Sequence, residues 1–229
     1  MRQMPLAVRL RDRAVFESFY PGANAESIAH LQQVARTERR SVSWLFGPDA
    51  SGKTHLLQAV CAQAGASAVY LPLAELAELG PETLEGWQES RWLCLDDIEA
   101  VIGQLAWERA LFNLYREAEE RGASLIVAAQ VPPLSLAFAL ADLGSRFSAA
   151  DLLPIKRLEE DEQRAALRLR AQMRGLELPE EAALYLQRRF PRDMDSLYAL
   201  LDTLDEAALE AGRRLTVPFI RDVLAQPPA

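Results

Sequence analysis

The chain has 229 residues, 33 acidic against 25 basic, and a formal net charge of -8. That length allows one α/β domain and a small satellite, and the acidic balance argues against a nucleic-acid-binding module. No apolar run approaches a membrane span, Met1 to Leu10 is too short and polar for a secretory signal, and two cysteines and two histidines give neither a disulfide framework nor a zinc spacing. A cytoplasmic protein that works on other proteins is expected.

Phe16 to Asn24 reads as an irregular entry segment with a turn at Tyr20-Pro21-Gly22, and Glu26–Arg39 as a helix with Ile28, Leu31 and Val34 on one face. The apolar run Val42–Phe46 is the first strand, and His55–Gln63 a helix behind it. A second strand spans Ala68–Leu73, short acidic helices fill Ala74 to Glu89, and a third strand is Trp92–Leu95. A helical stretch from Ile98 to Arg121, broken near Gly103, ends at Gly122 as its cap. The fourth strand, Leu125–Ala129, stops at Pro132-Pro133. A helical region carrying Leu134, Leu136, Phe138 and Leu140 then leads to Arg146-Phe147, and Leu152-Leu153 is a short fifth strand. Cys61 and Cys94 read as small core residues.

After Pro154 the β-branched runs vanish. Glu159–Gly175, Pro179–Arg189, Asp193–Gly212 and Val217–Leu224 all carry helical apolar spacing. Strands alternating with helices, then helices alone, predict an α/β unit of five parallel strands flanked by helices, with an all-helical lid. The expected divisions are a flexible peptide at 1–10, the α/β domain at 11–155 and the lid at 156–229.

Between the first strand and its helix lies Gly47-Pro48-Asp49-Ala50-Ser51-Gly52-Lys53-Thr54, which matches the phosphate-binding pattern G-x-x-x-x-G-K-[ST]. A strand, a glycine-containing loop and a helix N-terminus turn backbone N–H groups toward an anion. Lys53 can reach the β- and γ-phosphates, and the Thr54 hydroxyl can ligate Mg²⁺. The third strand delivers Asp96 and Asp97 to its C-terminal edge. Asp96 is placed to hold the Mg²⁺, and Asp97 to orient or activate a water.

These residues carry a family resemblance. The chain resembles the AAA+ nucleotide-binding module of the replication-initiator (DnaA) clade from about Phe16 to Leu224. Phe16 to Asn24 is similar to its entry box, Leu95-Asp96-Asp97-Ile98 to its metal-binding strand, Leu111 to Tyr115 with Glu120-Arg121-Gly122 to its central helix, and Leu143-Gly144-Ser145-Arg146-Phe147 to its arginine-finger box. The resemblance implies a bound ADP or ATP with Mg²⁺. Tyr20, Pro21, Gly47 to His55, Gln130 and Arg192 would form the nucleotide site, and Arg146 would act in trans on another molecule's γ-phosphate.

Two departures bear on activity. Gln130 stands where initiators place a polar sensor, commonly an aspartate. In the lid, Asp195 aligns with a nucleotide-sensing arginine, and Arg192 could substitute if the helix starts differently. An aspartate there would repel phosphates, which suits a protein with little or no ATPase of its own.

The sequence reaches Ala229 just after the lid, with no DNA-reading domain, and so resembles the Hda family of regulatory inactivators of DnaA. That implies negative regulation of chromosomal replication initiation, with the initiator DnaA and the DNA polymerase III sliding clamp (β subunit) as partners and no sequence-specific DNA binding. Gln3-Met4-Pro5-Leu6-Ala7-Val8 resembles the family's clamp-binding peptide, with Met4, Leu6 and Val8 pointing one way in an extended chain. Met4 and Val8 depart from its usual residues, and homo-oligomerisation stays open. The alternatives are a stand-alone AAA+ ATPase such as a helicase loader, and a P-loop kinase of a small metabolite.

Overall fold

The computed structural model describes residues 14–225, apart from 38, 88 and 191–193. Five strands form one parallel sheet: β1 (Val42–Phe46), β2 (Ala68–Pro72), β3 (Trp92–Asp96), β4 (Ser124–Ala129) and β5 (Asp151–Pro154), in the spatial order β2-β3-β4-β1-β5. Helices α1 (Ala25–Arg36), α2 (Lys53–Ala64), α3 (Leu73–Leu76), α4 (Leu105–Arg121) and α5 (Ala141–Ser148) complete this unit. Two compact units divide the chain between Arg157 and Leu158.

The continuous apolar runs of β3 and β4 are buried on both faces, which parallel strands require. Alternation sorts them. Leu93, Leu95, Leu125 and Val127 join Trp44, Trp107, Leu111, Leu143 and Phe147 in the core under α4 and α5. Trp92, Cys94, Ile126 and Ala128 join Leu31, Leu45, Leu57 and Val60 in the core under α1 and α2. Both cysteines are buried and free in that second core.

Register brings the strand ends level. Phe46 pairs with Ala129 and Leu95 with Val127, so Gly47, Gln130 and the Asp96-Asp97 pair emerge at one edge of the sheet. Gly122 caps α4 at φ 72°, in the left-handed region, as expected.

The stretch after β4 corrects the expected helix. Pro133–Ser135 is a single 3-10 turn, Leu140 is extended, and α5 starts only at Ala141. The cause lies elsewhere in the chain. The fully buried Glu108 of α4 accepts hydrogen bonds from the backbone N–H of Ala139 at 3.0 Å and Leu140 at 2.5 Å, and also of Gly103 at 2.7 Å. Those bonds hold Ala139 and Leu140 outside a helix, and Leu134, in the 3-10 turn, is 85% exposed.

The second unit contains α6 (Glu160–Met173), α7 (Glu180–Arg189), α8 (Met194–Ala211) and α9 (Val217–Leu224). Their apolar stripes meet in a separate core of Leu167, Leu186, Leu197, Leu201, Leu204 and Ile220. Thr216 caps α9, accepting from the Phe219 N–H. Among the described residues no helix is long and apolar enough to cross a membrane.

Candidate functional site

The loop between β1 and α2 is built for close approach. A Cβ on Gly47 would lie 2.0 Å from the Ile155 carbonyl oxygen. Gly52 sits at φ 92°, and a Cβ there would meet the Phe19 ring at 2.5 Å. Both positions therefore demand glycine, one for space and one for conformation as well. Pro48, Asp49 and Ala50 are exposed, and Ala50 is left-handed at φ 56°. The buried Ser51 hydroxyl has no hydrogen-bond partner among the described residues.

Lys53 opens α2 and is buried. Its ammonium donates to the Gly47 carbonyl at 2.8 Å and the Pro48 carbonyl at 3.0 Å. The cation is thus held inside the curve of the loop. Half-buried Thr54 follows it.

The entry segment folds over this helix start. The His55 ring lies 3.0 Å from the Val15 carbonyl oxygen and 3.2 Å from the Ser18 hydroxyl, with Phe19 edge-on at 5.4 Å. His55 therefore spends its side chain on the entry segment. Asn24 grips the Lys156 backbone through both its N–H and its carbonyl. Tyr20 is half-buried and Pro21 exposed, while Phe19, one residue earlier, is the ring that meets the loop. Sequence reading missed it; the signal was its place in the aromatic entry box.

Acids gather at the same edge. Asp96 is buried, accepting from the Tyr70 hydroxyl at 2.7 Å and the Asp97 N–H at 3.1 Å. Burial first, and the Asp96 carboxylate second, push the Tyr70 pKa far above its ordinary value. Asp97 adopts the left-handed conformation at φ 53°, uncommon for a non-glycine residue. As a residue it is exposed, yet its carboxyl is hemmed by loops and acids. Partial desolvation, then Asp96, Glu99 and Asp49, raise its pKa, and Lys53 pulls the other way.

Gln130 bridges these parts. Its side chain donates to the Asp49 carboxylate at 2.9 Å, and its backbone N–H donates to Glu99. Arg157 donates to the Asp49 carbonyl at 2.8 Å. Glu99 and Arg157 carried no motif signal, because only the fold brings them to the loop.

Arg146 lies elsewhere. Its guanidinium donates to Glu119 of α4 at 2.9 Å and stacks on Tyr115 and Phe112, at 5.1 and 5.3 Å from the ring centroids. Glu119 also pairs with Arg40 at 3.5 Å, two residues before β1 begins. Arg146 therefore stands at the edge where the strands start, and the phosphate loop at the edge where they end. With a rise of about 3.3 Å per residue, the five residues of β1 alone separate those edges by roughly 15 Å.

Arg192 and the residues Gln3, Met4, Leu6 and Val8 lie outside the described residues, as does the side chain of Asp195. Among the described residues no three His, Cys, Asp or Glu side chains converge as a metal-holding group.

Residues 160–224 match the family model of the Hda lid domain. That match covers the lid alone and, with the initiator-like fold, is consistent with the Hda family. The fold is similar to domain III of the Thermotoga maritima replication initiation protein DnaA, with TM-score 0.73 and 20% identity over 93% of this chain and 95% of that one. AMPPCP-bound DnaA from Aquifex aeolicus matches at TM-score 0.68 and 19% identity, over 88% and 68% of the two chains. The Thermotoga maritima RuvB branch migration motor matches at 0.57 and 16%, over 89% and 68%. The fold is that of a P-loop AAA+ module with a helical lid.

Proposed function

We propose that this chain is a nucleotide-bound negative regulator of replication initiation, which stimulates hydrolysis of ATP held by the initiator DnaA through Arg146 acting in trans. One observation carries the reading. The phosphate cradle and Arg146 stand at opposite edges of the sheet, so the arginine is remote from the chain's own loop and open to a second molecule's phosphate. A guanidinium presented there would stabilise charge spreading over the transferring phosphoryl oxygens.

The loop fits a nucleoside diphosphate or triphosphate. Gly47 and Gly52 leave room that a Cβ would fill, the Ser51 hydroxyl is unpartnered among the described residues, and Lys53 is already desolvated beside the loop. Lys53 would face the β-phosphate, and Thr54 and Asp96 would hold a Mg²⁺. That ion would neutralise phosphate charge. Little turnover by the chain itself is supported by Gln130, whose amide is spent on Asp49. Gln3, Met4, Leu6 and Val8 would tether the protein to the sliding clamp.

Two measurements test the proposal. Nucleotide extracted from the purified protein should be ADP or ATP, and steady-state turnover by the protein alone should be negligible. Single-turnover hydrolysis of DnaA-bound ATP, with clamp and DNA present, should accelerate when the protein is added. Robust turnover alone, with no effect on the initiator, would favour a stand-alone ATPase such as a helicase loader.

A further inference from the structure

Arg146 does not stand alone at its edge of the sheet. Glu119 binds its Nη1 through Oε2 at 2.9 Å and meets Arg40 through Oε1 at 3.5 Å. Both guanidinium groups lie over the Tyr115 ring, at 5.1 and 5.2 Å from its centroid. Tyr115 is buried, so this platform is fixed by the core beneath it, where its ring meets Phe147 edge-on at 6.0 Å. Two cations therefore share one aromatic ring, with a single carboxylate between them.

We infer that Glu119 and Arg40 are positioning residues for Arg146: the carboxylate, anchored on its far oxygen by Arg40, holds the Arg146 guanidinium on Tyr115 in the orientation it presents to a partner. This deepens the proposed trans-acting role of Arg146 and rests on it. An unrestrained arginine side chain samples many rotamers, whereas a planar guanidinium fixed by a carboxylate and stacked on a ring keeps few. Without Glu119, Arg40 and Arg146 would be like charges on one ring, and repulsion would drive the half-exposed Arg146 into solvent. Without Arg40, Glu119 would lose the cation on its second oxygen. Arg40 Nε and Nη2 are buried with no hydrogen-bond partner among the described residues, so this guanidinium depends on the Glu119 ion pair and the ring.

The test separates orientation from folding. In arginine-labelled protein, the guanidinium NMR signals of Arg146, assigned by their loss in Arg146→Ala, should show hindered rotation in the wild type. In Glu119→Ala they should average to those of a free side chain. In single-turnover hydrolysis of DnaA-bound ATP, Glu119→Ala should lower the maximal stimulated rate at least tenfold and leave the half-saturating concentration within twofold. Arg40→Ala should fall in the same direction and Arg40→Lys should recover most of the rate. ADP affinity, read at the opposite edge, should not move. Unaltered Arg146 signals in Glu119→Ala overturn the inference, as does a full maximal rate or a loss confined to half-saturation. If Arg146→Ala itself stimulates like the wild type, the proposed function fails, while the NMR signals still report whether Glu119 orients the side chain.

Discussion

The Gln130 amide donates to the Asp49 carboxylate at 2.9 Å, tying the end of β4 to the phosphate loop. The bond fixes the loop and also occupies a negative charge beside the place where phosphates would bind. Gln130→Ala should therefore weaken ADP binding by about twofold to thirteenfold, the worth of one hydrogen bond of about 0.5–1.5 kcal/mol. Asp49→Asn should act in the opposite direction, because it keeps an acceptor for Gln130 and removes the charge. Titration calorimetry of both variants checks the pair, and equal effects of the same sign would reject the bridge.

Glu108 predicts a stability loss. Its carboxylate is fully buried and satisfies three backbone N–H groups, two of them at the entrance to α5. An unpartnered buried donor costs about 1–3 kcal/mol, and water can reach some of the three once the side chain is gone. Glu108→Ala should lower stability by about 3 kcal/mol, and Glu108→Gln by less, since one acceptor oxygen remains. Urea unfolding midpoints measure both.

Glu108 also marks the limit of what local sequence could tell. The strands were legible because apolar runs bounded by turn residues have few other uses, and the phosphate loop because its spacing is specific. The lid helices were legible from their apolar period. The stretch from Leu134 to Leu140 carries apolar residues at helical spacing too, yet Glu108 captures the N–H groups of Ala139 and Leu140 from more than thirty positions away. The candidate site divides in the same way. Gly47, Gly52, Lys53 and Asp96 announce themselves by motif, whereas Phe19, Glu99 and Arg157 acquire their places only through β-sheet register and loop packing. Arg146 was legible as a residue; its Glu119 and Arg40 partners were not, because the three are far apart in the chain.

Asp97 gives a pH dependence. Its pKa in the folded protein is raised above the ordinary 3.8 by partial desolvation and by Asp96, Glu99 and Asp49. Between 3.8 and the raised value the folded state binds more protons than the unfolded state, so stability falls as pH rises through that window. Above it the penalty is constant. In nucleotide-free protein, Asp97→Asn should melt higher than wild type at neutral pH, and the gap should narrow as pH falls toward 3.8. A gap that widens toward acid would show that Asp97 is stabilised by its neighbours.

The last prediction uses the separation of the two edges. Lys53 is buried against the Gly47 and Pro48 carbonyls, and Arg146 sits beside the start of β1 on Glu119 and Tyr115. Lys53→Ala should abolish tight ADP binding, because it deletes the cation proposed to face the β-phosphate. Arg146→Ala should leave ADP affinity within about twofold, since a half-exposed charge acts weakly across roughly 15 Å. Its melting temperature should drop only slightly, through lost stacking on Tyr115 and Phe112. Stimulation of hydrolysis of DnaA-bound ATP should nevertheless fall by about 10³–10⁵ if the guanidinium touches the transferring phosphoryl group. A loss of tenfold or less would indicate that Arg146 orders the interface instead. Undiminished stimulation by Arg146→Ala, with ADP still bound, would remove the trans-acting arginine from the mechanism.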